Sequence, residues 1–153
     1  KKLIDSYAER MSVTNVTAVQ CDSSLFRAEW EEAFDGVLCD VPCSGLGTVA
    51  ENPDLPLRKT EEDFRKLPAV QEGILSNCAR YVKKGGKLYY STCSVMKEEN
   101  DGVVGAFLKM HPDFEPEDIS SPLAHERTVF GLQFLPDTAF GAGFYVVKMR
   151  KKL

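Results

Sequence analysis

Two cysteines, each placed shortly after an apolar, strand-like run, are the residues best suited to covalent chemistry. Cys43 lies in VLCDVPCSGLG (37–47), three residues after Asp40, and Cys93 lies in KLYYSTCS (87–94). A thiol can act as a nucleophile, and a nearby carboxylate can stabilise charge that develops in a bound substrate. If the two runs are neighbouring parallel strands, their carboxyl ends meet at one edge of the sheet. Asp40 and Cys93 would then converge, as a covalent catalyst requires.

The segments around these runs alternate between helical and strand-like patterns. Apolar residues recur at helical spacing in some segments, while others are short and apolar or β-branched, with turn residues between them. The run over 34–39 is apolar enough for a strand that is buried on both faces. In chain order, the patterns predict a helix over 2–12, a strand over 16–20, a helical turn at 26–30, a strand over 34–39, a helical turn after Thr60, a helix from Pro68 to a stop at Gly85–Gly86, a strand over 87–92 and a helix over 97–110.

The C-terminal part of the sequence predicts further strands, within 113–119, 132–137 and 143–150, separated by Pro and Gly turns. The last two are joined by about seven residues, too few for a right-handed crossover, so they should form an antiparallel hairpin. The alternation of strand and helix before them predicts an α/β fold with a mostly parallel sheet.

Composition and cysteine usage narrow the functional classes. The chain is 43% hydrophobic and 27% charged, with a net charge of −4, which suits a globular domain without a broad basic face. No apolar run approaches the roughly 18 residues that a membrane helix needs. The five cysteines include no Cys-x-x-Cys pair and lie far in sequence from both histidines, which argues against a metal site. Free thiols fit a cytoplasmic protein. Short basic groups at 58–59, 83–87 and 148–152 are interpreted as solvated loops and a tail.

The motifs at the two cysteines resemble those of the RNA (cytosine-5) methyltransferases. DVPCSGLG at 40–47 resembles the fourth motif of that family, and STCS at 91–94 resembles its sixth. The Asn-Pro-Asp triplet at 52–54, KEEN at 97–100 and GFYVVKMRKK at 143–152 also resemble the family's C-terminal half. The likeness is strongest to the bacterial Sun-type enzymes of ribosomal RNA. It implies a Rossmann-like methyltransferase sheet, S-adenosyl-L-methionine as the cofactor and RNA, ribosomal in the Sun-type case, as the partner.

The resemblance also implies roles for individual residues. Cys93 matches the nucleophile that attacks C6 of the target cytosine, and Cys43 matches the cysteine associated with release of the methylated base. Asp40 matches the carboxylate that binds the cytosine ring, and it is also counted among the cofactor-binding residues. Asp22 matches an acid near the adenine of the cofactor. Both thiols thereby acquire separate tasks in one reaction.

Small residues around these positions are expected to shape the substrate site. Pro42, Ser44 and Gly45 suit a tight loop whose backbone lies close to a flat base, and Thr92 directly precedes the matched nucleophile. These four residues are predicted to contact the substrate, and no metal site is predicted.

Other polar and sulfur residues receive structural interpretations. Glu98, Glu99 and Asn100 fall in the first turn of the predicted helix, where acids favour the helix dipole, so they are interpreted mainly as capping residues. The resemblance leaves room for a second interpretation, in which they orient the Cys93 loop. The same helix would begin just after Cys93 and favour its thiolate. Cys39 and Cys78 are assigned to the core.

The resemblance further implies that residues 1–153 are the C-terminal part of a single methyltransferase catalytic domain. The glycine-rich cofactor loop typical of the family has no match in the sequence. The sheet is therefore expected to be truncated on its N-terminal side, with weak cofactor binding by these residues alone. A truncated sheet exposes a strand edge, which favours self-association.

Two other functions remain open on the sequence. A non-catalytic RNA-binding or assembly module could keep the same fold. A DNA cytosine-5 methyltransferase would also place a Pro-Cys pair after a strand, but there Cys43 would be the nucleophile and Cys93 would have no role. The STCS motif favours the RNA enzyme.

Overall fold

Residues 1–138 and 141–153 are described by a computed structural model that combines helices with an open six-stranded sheet. Short 3-10 turns at Ala28–Trp30, Leu46–Thr48 and Leu55–Arg58 lie in the connections. The main elements are α1 (Lys2–Arg10), β1 (Phe34–Asp40), α2 (Glu61–Tyr81), β2 (Val82–Thr92), α3 (Asp101–Met110), β3 (Phe114–Glu117), β4 (Glu126–Arg127), β5 (Leu132–Phe134) and β6 (Phe144–Lys151).

The sheet confirms the predicted α/β architecture and the predicted hairpin. Its order is β1-β2-β6-β5-β4, and β3 also pairs with β6. β1 and β2 are parallel, with Asp40 opposite Ser91, and β5 and β6 are antiparallel. The expectation of a mostly parallel sheet holds for the β1–β2 pair alone, because the other four pairs within the described residues are antiparallel.

Helix α2 is longer than the sequence predicted. Thr60 caps its first turn, accepting from the backbone N–H of Asp63 while the Asp63 carboxylate accepts from that of Thr60. This reciprocal cap starts the helix upstream, so Pro68 lies inside it rather than at its start. The predicted stop at Gly85–Gly86 is also wrong, because α2 ends at Tyr81 and both glycines belong to β2.

The core lies where α2 and α3 pack against each other and α2 packs against the sheet. Its fully buried side chains come from α2, α3 and the strands of the sheet. Representative core residues are Leu75 from α2, Val104 and Phe107 from α3, and Leu88, Tyr90, Val147 and Met149 from the strands.

None of the helices in the described ranges is long and apolar enough to cross a membrane.

Three further predictions about elements are wrong. Residues 16–20 form no strand, since no strand pairs with them. β1 is an edge strand rather than one buried on both faces, and its Leu38 is 67% exposed while Cys39 is buried. Helix α3 begins at Asp101, so its N-terminus is farther from Cys93 than predicted.

Basic residues on β2 and β6 are paired with acids on β3. Glu117 on β3 contacts Lys87, and its carboxylate lies 3.0 Å from Lys148 Nζ, while Arg150 Nη2 lies 2.6 Å from Glu115 Oε1. These pairs place an acid beside three of the six basic residues of β2 and β6. The interpretation of 83–87 and 148–152 as loops and a tail is wrong, because residues 83–87 lie in β2 and residues 148–151 lie in β6.

Candidate active site

The two motif cysteines meet. The Sγ atoms of Cys43, after β1, and Cys93, after β2, lie 3.2 Å apart, although the residues are 50 positions apart in the chain. Both residues are partly buried and both are free thiols. The contact follows from the parallel β1–β2 pair, because its strands deliver both loops to the same edge of the sheet.

The environment of Cys43 keeps its proton in place. Burial, followed by the hydrogen bond with Cys93, raises the pKa of the Cys43 thiol to about 12. At neutral pH, Cys43 is therefore a thiol whose S–H can donate to the sulfur of Cys93. The high pKa of Cys43 thus keeps a proton available for the hydrogen bond that the two sulfurs share.

Asp40 lies at the end of β1 beside this pair. Its Oδ1 accepts a hydrogen bond of 2.7 Å from Ser91 Oγ, and Ser91 precedes Cys93 by two residues on the neighbouring strand. Ser91 is buried, whereas Asp40 is exposed. The serine thus fixes one carboxylate oxygen and leaves the other facing outward at the strand end.

A buried carboxylate, that of Glu99, links the two cysteine loops. Its Oε2 accepts from the backbone N–H of Ser44 and from Gln71 Nε2, both at 2.8 Å. Its Oε1 accepts from Ser94 Oγ at 2.8 Å. Ser44 and Ser94 directly follow Cys43 and Cys93, and their hydroxyls also contact each other at 3.1 Å.

The neighbouring Asn100 holds the Cys93 loop from the other side. Its Oδ1 accepts a 2.6 Å hydrogen bond from Thr92 Oγ1, and its Nδ2 donates to Ser94 O and to Gln133 Oε1. Asn100 occupies the N-cap position of α3, but neither its side chain nor that of Glu99 makes a capping hydrogen bond in the described structure. Both side chains instead hold the Cys93 loop, in line with the second interpretation of these residues.

Two glycines shape the loop after Cys43. Gly45 has a φ of 75°, the left-handed conformation that glycine adopts without strain. Gly47 N donates to Cys93 O at 2.9 Å, and Gly47 O accepts from Gly143 N at 2.7 Å. A Cβ on Gly47 would collide with the backbone of Gly143 and would lie 2.8 Å from Cys93 O. Close backbone approach is thus required here.

Burial changes the expectation for the four predicted substrate contacts. Pro42 is exposed and its side chain is available to a substrate. Ser44, Gly45 and Thr92 are buried, and both hydroxyls are hydrogen-bonded within the protein. The hydroxyls of Ser44 and Thr92 therefore help to position the two loops, and contact of these residues with the substrate stays a prediction.

Asp22 lies outside the site formed by Cys43 and Cys93. It borders a small cavity of about 190 Å³, with Leu25, Trp30 and Phe34 among the lining residues, near the start of β1. Its Oδ1 accepts from the backbone N–H and hydroxyl of Ser24, which lower the pKa of Asp22. The structure does not bring Asp22 and Asp40 into one cavity.

A groove beside the Cys93 loop was not anticipated from the sequence. It has a volume of about 860 Å³, and its walls come from residues 95–102 and from 126–135. Lys97 and Arg127 supply cations, and Phe130 supplies apolar surface. No sequence signal marked it, because its two walls are distant in the chain.

Comparison with known proteins identifies the family. The family model described as 16S rRNA methyltransferase RsmB/F matches residues 1–150. The chain belongs to this family. A probable ribosomal RNA small subunit methyltransferase B of Bacillus subtilis is 40% identical over 157 residues, covering 99% of this chain and 35% of the relative. The recognition of an RNA methyltransferase family of the Sun type is thereby confirmed.

Solved structures share the fold of this chain. The crystal structure of PH0851 has a TM-score of 0.91 at 32% identity and covers 98% of this chain and 34% of its own. A methyltransferase homologue from Pyrococcus horikoshii has a TM-score of 0.80 at 27% identity, over 98% of this chain and 49% of its own. The chain therefore spans about a third of the curated relative and of the first of these structures.

Proposed function

We propose that this RsmB/F chain carries the base-modifying site of an RNA (cytosine-5) methyltransferase that uses S-adenosyl-L-methionine. The observation that supports this most strongly is the 3.2 Å contact between Cys43 and Cys93, with Asp40 at the adjacent strand end. The names of the curated relatives point to RNA of the small ribosomal subunit as the substrate class.

Cys93 is the proposed nucleophile. After losing its proton to solvent, its thiolate would attack C6 of the target cytosine and form an S–C6 bond. The C5=C6 π bond breaks in the same step and its electron pair moves toward C5, which becomes an enamine-like carbon. The free oxygen of Asp40 would bind the edge of the ring, where charge accumulates during attack, while Ser91 holds the other oxygen. A cytosine in a paired stem would first have to leave the stack to reach these groups.

Cys43 is proposed to act at the end of the reaction. After methylation, the proton on C5 must leave and the S–C6 bond must break to restore the aromatic ring. Once Cys93 is bound to C6 it no longer holds the hydrogen of Cys43, so one cause of the raised Cys43 pKa disappears. The pKa of Cys43 then falls, so a larger fraction of Cys43 is the thiolate that can accept the C5 proton.

The described residues offer part of a cofactor site. Asp40 fits, because it presents an exposed carboxylate at the strand end beside the cysteine pair. The cavity at Asp22 is smaller than the roughly 300 Å³ typical of the smallest ligand pockets, and it is separate from Asp40. When bound, S-adenosyl-L-methionine supplies the methyl group to C5. We assign Asp40 to its site and leave Asp22 as a prediction.

A trapping experiment on the complete protein tests the proposal. RNA that contains 5-fluorocytosine forms an S–C6 adduct that cannot lose fluorine from C5, so the covalent complex persists on a denaturing gel. We expect trapping by the unmodified protein and its loss in Cys93→Ala. Cys21→Ala, which changes an exposed cysteine away from the site, is the matched control and should trap normally.

The same experiment separates the competing functions. Cys43→Ala is expected to trap RNA and to accumulate an adduct even with ordinary cytosine, because release is impaired. Loss of trapping in Cys43→Ala with retention in Cys93→Ala would indicate the arrangement of the DNA enzymes. Binding of RNA without any trapping would indicate a non-catalytic module.

A further inference from the structure

We propose that Glu99 is the positioning residue that sets the distance between the two cysteine sulfurs. This inference deepens the proposed function, and its catalytic consequence rests on that function. The geometric part does not, because it concerns how two loops of the chain are held together whether or not RNA is bound.

The contacts of Glu99 join the residues that directly follow the two cysteines. The carboxylate accepts from the backbone N–H of Ser44 through one oxygen and from the hydroxyl of Ser94 through the other, each at 2.8 Å. One rigid, planar group therefore spans the two loops. A change of loop separation would have to break at least one of these hydrogen bonds.

The surroundings of Glu99 fix the carboxylate itself. The residue is 1% exposed, and its backbone carbonyl accepts a 2.6 Å hydrogen bond from Tyr90 OH. Gln71 on α2 donates to the carboxylate and, at 3.0 Å, to Pro42 O in the Cys43 loop. A buried carboxylate is costly unless its oxygens are hydrogen-bonded, and here three donors meet that requirement. The bridge is therefore anchored to both the sheet and a helix.

Loss of the bridge should act on chemistry through geometry. Without the carboxylate, Ser44 N loses its acceptor and Gln71 Nε2 keeps only Pro42 O, so fewer contacts hold the Cys43 loop and it can shift relative to Cys93. The 3.2 Å sulfur contact is short, so a shift of about 1 Å would end donation from Cys43 to Cys93. The thiols would then behave as two independent cysteines.

The reduction potential of the cysteine pair measures this separation without any substrate. In a glutathione buffer, oxidised glutathione takes two electrons from Cys43 and Cys93, which lose their protons and form one S–S bond, and two reduced glutathione molecules leave. The equilibrium constant of this exchange with glutathione gives the effective concentration of the Cys43 thiol at the Cys93 thiol. Peptide mapping of the quenched protein locates the bond.

Three variants give the expected pattern. Glu99→Ala should lower the effective concentration about tenfold or more, since the loops are no longer bridged. Glu99→Gln should stay within about threefold of the unmodified chain, because its carbonyl can accept from Ser44 N and its amide can donate to Ser94 Oγ. Glu98→Ala, an exposed neighbour, should have no effect.

A folding control accompanies each measurement. Cys39 is 2% exposed, so alkylation of Cys39 reports loss of the core, whereas a local change leaves it protected. If Glu99→Ala exposes Cys39, Ser94→Ala replaces it and Ser44→Ala is its control, because both changes remove the hydroxyl contact between the loops but only Ser94→Ala also removes a contact of Glu99. Ser94→Ala should lower the effective concentration about threefold.

Several results would overturn the proposal. The first is an unchanged effective concentration in folded Glu99→Ala, or in Ser94→Ala if Glu99→Ala unfolds. The second is failure of Glu99→Gln to restore the effective concentration. The third is failure of Cys43 and Cys93 in the unmodified chain to form a disulfide. In the complete protein, Glu99→Ala should lower kcat with little change in KM. A shift of the thiol equilibrium in a protein that never traps RNA would keep the positioning role and reject the proposed function.

Discussion

At the scale of single residues, the raised pKa of Cys43 distinguishes the two cysteines. Both thiols follow strands and both contact each other, so neither position in the fold nor residue type separates them. Burial and the hydrogen bond with Cys93 raise the pKa of Cys43 to about 12. The raised pKa keeps Cys43 protonated at neutral pH, which is consistent with Cys93 as the nucleophile.

The pH dependence of alkylation tests this assignment. Only the thiolate reacts, and a pKa of about 12 leaves about one Cys43 thiolate in ten thousand at pH 8. The alkylation rate of Cys43 should rise about tenfold per pH unit without levelling off by pH 10. In Cys93→Ala the second cause of the raised pKa is absent, so the rate at pH 8 should increase. Initial rates from mapped peptides measure both, and a plateau below pH 10 in the unmodified chain would contradict the assignment.

Residue types at the site were predictable, but the division of labour among them was not. The sequence singled out Asp40, Cys43 and Cys93, since each follows a strand-like run. It placed Thr92 against the substrate and Glu99 at a helix cap, whereas both are buried in the network that holds the loops. Their hydrogen-bond partners lie on other elements, and a single sequence carries no signal for such contacts.

At the scale of elements, Gly47 is the point where three segments meet. Its backbone joins the Cys43 loop to the Cys93 loop and to the segment that leads into β6. Glycine is needed there for close approach, in contrast to Gly73, which lies in α2 with nothing near the position of an added Cβ.

Substitution of these two glycines should have opposite effects. Gly47→Ala forces its Cβ against the backbone of Gly143 and Cys93, and should lower the free energy of unfolding by about 1–3 kcal/mol. Gly73→Ala should raise it by about 0.5–1 kcal/mol, because alanine is the better helix former. Urea denaturation measures both. Equal stability of Gly47→Ala and the unmodified chain would show that the three segments are not in contact.

The elements themselves were predictable to the extent that local patterns determine them. The helical spacing near the N-terminus, the β1 and β2 runs and the C-terminal hairpin all appear in the structure. The errors occur where contacts with other parts of the chain determine whether an element forms or where it begins. A β-branched run at 16–20 forms no strand without a partner, and the cap at Thr60 extends α2 through Pro68 despite the missing N–H of proline.

At the scale of the whole molecule, the apolar surface is unevenly distributed. α1 buries none of its residues, and its Ile4 and Tyr7 are 52% and 46% exposed. The sheet ends at β1, whose Phe34 and Leu38 are also exposed. Exposed apolar side chains therefore occur both on α1 and on the edge strand of the sheet.

We propose that this chain on its own self-associates through the free edge of β1. An unpaired edge strand with apolar side chains is a template for pairing with a second copy, and a charge on that strand opposes such pairing. Leu38→Lys should therefore shift sedimentation velocity profiles toward the monomer at concentrations where the unmodified chain forms larger species. Leu57→Lys, at an 88% exposed position in a loop, adds the same charge away from the edge and should leave the profile unchanged. Equal profiles for the unmodified chain and Leu38→Lys would place any association elsewhere on the surface, and α1, with its exposed apolar residues, would be the next surface to test.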